Sequence, residues 1–158
     1  MKRILTATAI AAALAAGSAQ AGNTSGTFNV NVTLTSACTL SAVTNVAFAY
    51  TSLQAAAANA TGGGFSVSCT NTLPYTFGLQ AGNGAATPPG AATIAVTDNA
   101  VNLNYSLGLS AAGATGNGAA QAFSVTGTMA GSQAGTCAAA SCTNGAATNK
   151  IHTLIVNY

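Results

Sequence analysis

The sequence predicts an all-β domain, and three observations carry that reading: apolar residues that alternate with period two, turn-forming clusters at short spacing, and four cysteines behind an export signal. Residues 27–34 place Phe28, Val30, Val32 and Leu34 on one face and Thr or Asn on the other, the pattern of a strand with one dry face. Further strands are expected over 43–50, 65–70, 75–80, 93–96, 101–109, 122–129 and 151–158. Between them stand Gly62-Gly63-Gly64, Gly82-Asn83-Gly84, Pro88-Pro89-Gly90, Gly116-Asn117-Gly118 and Asn144-Gly145, each able to reverse the chain. The Ala-rich stretch 53–60 is too short and uncapped to hold a helix alone, so a loop with a helical turn is expected there.

The first residues read as a secretory signal. Lys2 and Arg3 precede an apolar run over 4–16, and Ala19-Gln20-Ala21 supplies the small residues of a cleavage site, so cleavage is expected between Ala21 and Gly22. The run is too short for a lasting membrane anchor. The remaining 137 residues suit one domain with one core. Their only charged side chains are Asp98 and Lys150, a formal balance of zero with His152 neutral. Capture of nucleic acid or an anionic membrane needs clustered Lys and Arg, so neither is an expected partner. A surface of Thr, Ser, Asn, Gln, Gly and Ala lacks the repulsion that keeps secreted proteins apart, and it favours self-association.

All four cysteines lie beyond the signal, where an oxidising compartment favours two disulfides over a metal site. The small-residue run 138–141 lets the chain fold back, so Cys137 is expected to pair with Cys142 and Cys38 with Cys69. In the loop-entropy model the longer closure contributes roughly 3.5 to 4 kcal/mol and the shorter about 2.

Catalytic chemistry is poorly provided for. There is no Glu, one Asp, one His and one Lys after residue 21, and disulfide sulfur is not nucleophilic. His152 shares a face with Leu154, Val156 and Tyr158, which fits a structural histidine near a strand end, while Asp98 and Lys150 fit solvated loop or edge charges. The glycine clusters precede strands rather than helices and so lack the setting of a phosphate-binding loop. The Asn-x-Thr/Ser acceptor patterns at Asn23, Asn31 and Asn59 are what chance gives in so Asn- and Thr-rich a chain. No enzyme activity, cofactor, metal or small-molecule substrate is expected.

An alternating strand directly after a cleavage site is either the first strand of its own sheet or an extension that completes another subunit's sheet. The residues Gly26 to Leu40, then Gly63-Gly64-Phe65-Ser66-Val67-Ser68-Cys69-Thr70 and Leu73-Pro74-Tyr75-Thr76-Phe77, resemble the spore coat protein U domain family, which includes the pilins of archaic (Csu-type) chaperone-usher pili. The likeness continues through Leu103-Asn104-Tyr105-Ser106-Leu107 and Phe123-Ser124-Val125-Thr126-Gly127 and ends on Thr153 to Tyr158, so it spans the mature chain.

That resemblance implies an incomplete immunoglobulin-like β-sandwich over 37–158 with a donor-strand segment over 22–36. The gap is filled first by a periplasmic chaperone and then by the next subunit. Phe28, Val30, Val32 and Leu34 would fill a neighbour's groove, and His152, Leu154, Val156 and Tyr158 would lie on the strand bordering this chain's own. The implied partners are other copies or related pilins, the chaperone and an outer-membrane usher, and the implied place is the cell surface, in adhesion and biofilm. A coat or other surface structural protein not assembled into pili is the second expectation. Two features depart from the family: Ala147-Thr148-Asn149-Lys150-Ile151 stands where members carry Gly-x-Tyr-x-Asp, and the loop closed by Cys137 and Cys142 is an addition.

Overall fold

A computed structural model describes residues 22–158 of the chain, so the expected signal segment lies outside the described residues. In order, the elements are β1 (Cys38–Leu40), β2 (Val46–Ala47), β3 (Ala58–Asn59), β4 (Thr61–Gly62), β5 (Gly64–Cys69), β6 (Pro74–Ala81), β7 (Ile94–Thr97), β8 (Asn104–Leu109), β9 (Gly113–Thr115), β10 (Gln121–Met129), a single 3-10 turn at Asn144–Ala146, and β11 (His152–Asn157). No α-helix occurs among the described residues. The fold is all-β, as the alternation and turn spacing predict, and agrees with the immunoglobulin-like sandwich that the resemblance implies.

One sheet has the order β1-β5-β10-β8-β7, with β3 also on β10; the other has the order β11-β6-β9, and β2 pairs with β4. Every ladder is antiparallel. Strand β10 is shared along its length: Gln121 to Ser124 pair with β5, and Val125 to Met129 pair with β8.

Odd-numbered positions of β5 and β6 form the core. Phe65, Val67 and Cys69 from β5 meet Tyr75, Phe77 and Leu79 from β6, joined by Leu107 and Val125, all buried. Phe77 bridges the two sheets, its ring centroid 5.3 Å from Phe65 and 4.8 Å from Phe123, both edge-on. Edge-to-face pairs of this kind add about 0.5–1.5 kcal/mol each beyond the area they bury. Tyr75 is buried to its hydroxyl, which donates to Gln121 Oε1 at 2.9 Å, so the polar tip is not left unpaired in the core. Burial pushes its phenol pKa up.

Both disulfides form with the expected pairing. Cys38 and Cys69 stand directly opposite in the β1–β5 ladder, so the bridge pins the first strand of the body to a buried one. Cys137–Cys142 closes an exposed five-residue separation.

Gly78 makes a close crossing possible. A Cβ there would lie 1.9 Å from the Pro89 carbonyl oxygen, and the glycine lets the segment after Pro89 lie across β6. Leu79 and Ala91 exchange backbone hydrogen bonds of 2.7 and 2.8 Å, and Asn157 Nδ2 donates to the Pro89 carbonyl. This crossing covers the outer face of β6 and β11, where Ile155 is buried.

Several expected elements are corrected. Residues 27–34 form no strand: positions 22–37 belong to no ladder, so the alternation there does not make the first strand of this chain's own sheets. A strand needs a partner for its backbone N–H and C=O groups, and alternation alone supplies none. The described residues divide into 22–33 and a body, Leu34–Tyr158. Only Val46–Ala47 of the expected strand 43–50 is paired. Stretch 53–60 contains no helical turn; it bends and then enters β3. Strand β8 begins at Asn104 rather than at 101 because the side chain of Asp98 accepts hydrogen bonds from the N–H groups of Ala100 and Val101 and turns the chain there. Strand β9 carries no apolar alternation and gave no signal.

Candidate functional site

Strand β11 is an edge strand: β6 holds one side of it over Ala81 to Thr76, and its other side has no ladder partner among the described residues. Its alternation turns Leu154 and Val156 toward the core and Ile155 to the opposite, covered face. A groove of about 820 Å³ runs beside the open side, with residues 43–50 as its far bank. Its apolar lining comes from Val46 and Phe48 on that bank, from Leu79 and Leu154 on the β6–β11 side, and from Leu103, Tyr105, Leu107, Val125 and Met129 beneath. Gly127 makes room for the bank: a Cβ there would stand 2.7 Å from the Phe48 ring. Phe48 in turn packs on Tyr105 at 5.5 Å between centroids.

One part of the lining is polar. Asp98, Asn144, Lys150 and His152 line it, and the Tyr105 hydroxyl lies 2.9 Å from His152 Nε2. Asp98 is 2 % exposed, which corrects the expectation of a solvated loop charge. Its Oδ1 takes the Ala100 and Val101 N–H groups at 2.8 and 3.0 Å, while Oδ2 is buried with no hydrogen-bond partner. Burial by itself would raise the Asp98 pKa; the backbone N–H groups of Val101 and Ala100, the nearby Asn144 amide and the positive Lys150 outweigh it, and the net shift is downward. Asn144 lies near enough to favour the charge but forms no hydrogen bond with Oδ2 of normal geometry. Burial lowers the pKa of His152, whose Nδ1 is also unpartnered, and it raises that of Tyr105, with the Asp98 charge adding to the rise. Lys150 Nζ donates to the Gly145 carbonyl.

Elsewhere in the chain, Phe28, Val30, Val32 and Leu34 are 85, 73, 84 and 79 % exposed. An uninterrupted row of four large apolar side chains in water is far from the scattered exposure normal for a soluble surface. Of the residues expected on the bordering strand, His152 and Leu154 line the groove, Val156 packs against the core beyond it, and Tyr158 lies past the end of β11 and is exposed. Sequence reasoning did not mark residues 43–50 as the far bank, since Val46, Phe48 and Tyr50 read as an ordinary alternating strand. Nor did it find the polar lining, though Asp98 as the only carboxylate side chain in the sequence was a signal available there.

A family model described as the Spore Coat Protein U domain matches residues 24–151, taking in the N-terminal segment as well as the body up to β11. No curated protein and no solved structure matches the chain.

Proposed function

The chain belongs to the Spore Coat Protein U domain family, and from that premise we propose that it is a structural subunit of a surface fibre that polymerises by donating its Phe28–Leu34 segment to the groove of the next copy. The family is a structural, pilin-type one rather than an enzyme family, consistent with a surface or fimbrial subunit. The observation that carries the proposal is a pair of complementary features in one chain. A row of four exposed apolar side chains with period two occurs in a chain whose sandwich has an apolar groove along an unpaired strand edge.

The physics of the match is specific. A strand laid on the open side of β11 gains backbone hydrogen bonds that fix its register, and its alternate side chains enter the groove. Burying four large apolar side chains supplies roughly 6 to 12 kcal/mol gross, at about 1.5 to 3 each. A one-residue slip would present Thr and Asn to the apolar lining instead, so register is strongly set. Until a neighbour arrives, so exposed an edge invites wrong pairing. A periplasmic chaperone that covers it and an outer-membrane usher that exchanges it for the next subunit complete the proposal, with surface attachment and biofilm formation as the role of the fibre. Among the described residues no helix is long and apolar enough to cross a membrane.

The test is deletion of residues 22–34. The remaining body should still accumulate with both disulfides formed, and fibres seen by electron microscopy should disappear. Fibres that persist without the segment reject its donor role. A coat assembled from the same domain without fibres would show sheets or amorphous layers under the same microscope.

A further inference from the structure

We propose that Leu53 and Ile151, apolar side chains beyond either bank at one end of the groove, dock the body of the incoming copy. This rests on the donor-strand reading above and adds to it a contact between the two sandwiches.

Three observations lead there. The first is exposure. Among the described residues beyond Leu34, Leu53 and Ile151 are the most exposed large aliphatic side chains, at 67 and 51 %. They stand at the same end of the body. Ile151 lines the groove and immediately precedes β11, and Leu53 follows Tyr50, which also lines it. Register identifies that end: Met129, the last residue of β10, pairs with Tyr105, whose hydroxyl meets His152 at the start of β11.

The second is how Leu53 is held. Its φ is +61°, in the left-handed region that a leucine avoids because its Cβ crowds the backbone there. Hydrogen bonds keep it there. The Leu53 N–H donates to the Gln133 carbonyl at 2.8 Å, the Ser132 N–H to the Gln54 carbonyl at 2.6 Å, and the Gln133 N–H to the Tyr50 hydroxyl at 2.8 Å. The Gln133 side chain in turn bonds both backbone groups of Asn104, at the start of β8. A strained backbone fixed this firmly presents a large apolar side chain to water, which points to a partner outside the single chain.

The third is reach. Every ladder among the described residues is antiparallel, and a strand added in that sense to the open side of β11 runs toward His152. Leu34 of the incoming copy then arrives at the end where Leu53 and Ile151 stand. Its own sandwich takes hold at Ala37, whose N–H and C=O are held by Thr70 and whose neighbour Cys38 is bonded to Cys69. The chain from Leu34 to Ala37 spans at most about 10 Å. The Ala37 end of the incoming sandwich is therefore brought against the exposed pair. Tyr158 is exposed at that end too, since Asn157 pairs with Thr76 near the turn that joins β5 to β6.

The experiment uses fibres of the full mature chain. With p-benzoylphenylalanine in place of Leu53, irradiation should join neighbouring copies, and the bonded residues should lie at the Ala37 end of the next body, around Ala37, Thr70 and Tyr158. Leu53→Asn, a residue suited to the left-handed region, should make fibres dissociate in denaturant at least about tenfold faster, the scale of one large apolar side chain leaving an interface. In subunits kept apart by Val30→Asp, the same substitution should leave the urea midpoint unchanged or raise it, because it relieves strain. Dissociation at the wild-type rate, a photoproduct on another face or none between copies, or a midpoint that falls each overturns the contact. Ile151→Thr should speed dissociation by at least about threefold, and no effect there removes Ile151 from the contact. Val30→Asp separates all this from the reading beneath it. Fibres lost in Val30→Asp with no response to Leu53→Asn sink the contact alone, whereas fibres surviving Val30→Asp sink the donor strand with it.

Discussion

Residues 27–34 and 151–158 carry nearly the same pattern, large apolar side chains at every second position with polar ones between, and they end in opposite states. Strand β11 is hydrogen-bonded to β6 along its length and turns Leu154 and Val156 inward. The earlier segment has no ladder partner among the described residues and keeps Phe28, Val30, Val32 and Leu34 in water. Alternation defines a strand's faces but not its neighbour. What separates the two is the supply of backbone partners: β6 supplies them to β11, and no strand among the described residues supplies them to 27–34.

The comparison breaks most sharply at Val30. In the proposed assembly Val30→Asp places a carboxylate on the face that enters an apolar groove, and assembly should be lost entirely by electron microscopy. Because Val30 is 73 % exposed in the single chain, the unassembled subunit should keep its stability within about 0.5 kcal/mol in urea titration. A variant that lost fold and fibres together would erase the distinction drawn between the two segments. Phe77→Ala tests the opposite side. It removes the ring that joins both sheets behind the β11 edge, and should cost about 3–5 kcal/mol of subunit stability.

Removal of the two disulfides should separate by size. Replacing Cys38 and Cys69 with Ala should cost about 3.5 to 4 kcal/mol and replacing Cys137 and Cys142 about 2, both read from denaturant midpoints. Similar costs would mean that the exposed loop matters to the body more than its position indicates.

The smallest effect expected is with pH. The folded state holds His152 below its ordinary pKa by burial, so below about pH 6.5 the unfolded chain takes up a proton that the folded chain resists, and stability falls as the solution is acidified toward and below the folded pKa. Asp98, also lowered overall, adds a second loss in the same direction once the pH drops below about 4. His152→Phe should flatten the first of these slopes in a series of urea titrations and leave the second. A slope that survives the substitution would assign it to another group.

The fold was legible where local pattern and tertiary demand agree. Phe65, Val67, Cys69, Tyr75, Phe77 and Leu79 alternate along β5 and β6 and are buried, the cluster Gly116 to Gly118 falls between strands as expected, and Gly63 marks the junction of β4 and β5, whose ends take in Gly62 and Gly64. The cysteine pairing was legible too, because the run 138–141 leaves Cys137 a near partner. The pattern failed where a side chain overrides it. Asp98 turns the chain back on its own N–H groups and shortens the expected strand 101–109, and β9, made of Gly113, Ala114 and Thr115, enters a sheet without an apolar face. Of the groove, β11 could be read from alternation as a strand, and its place on the border only from the family resemblance. The far bank could not, since a residue such as Phe48 looks the same in a sequence whether its neighbour is its own sheet or a gap.

The burial of Asp98 has a consequence for the surface of the whole body. It removes the only carboxylate side chain from water, so Lys150 is the one exposed side chain beyond residue 21 with a permanent charge. Such a surface has almost no long-range field for dissolved ions to screen. Copies lying side by side would meet through hydroxyls, amides and methyl groups at contact distance, and raising the ionic strength from brackish to marine levels would leave that meeting largely as it was.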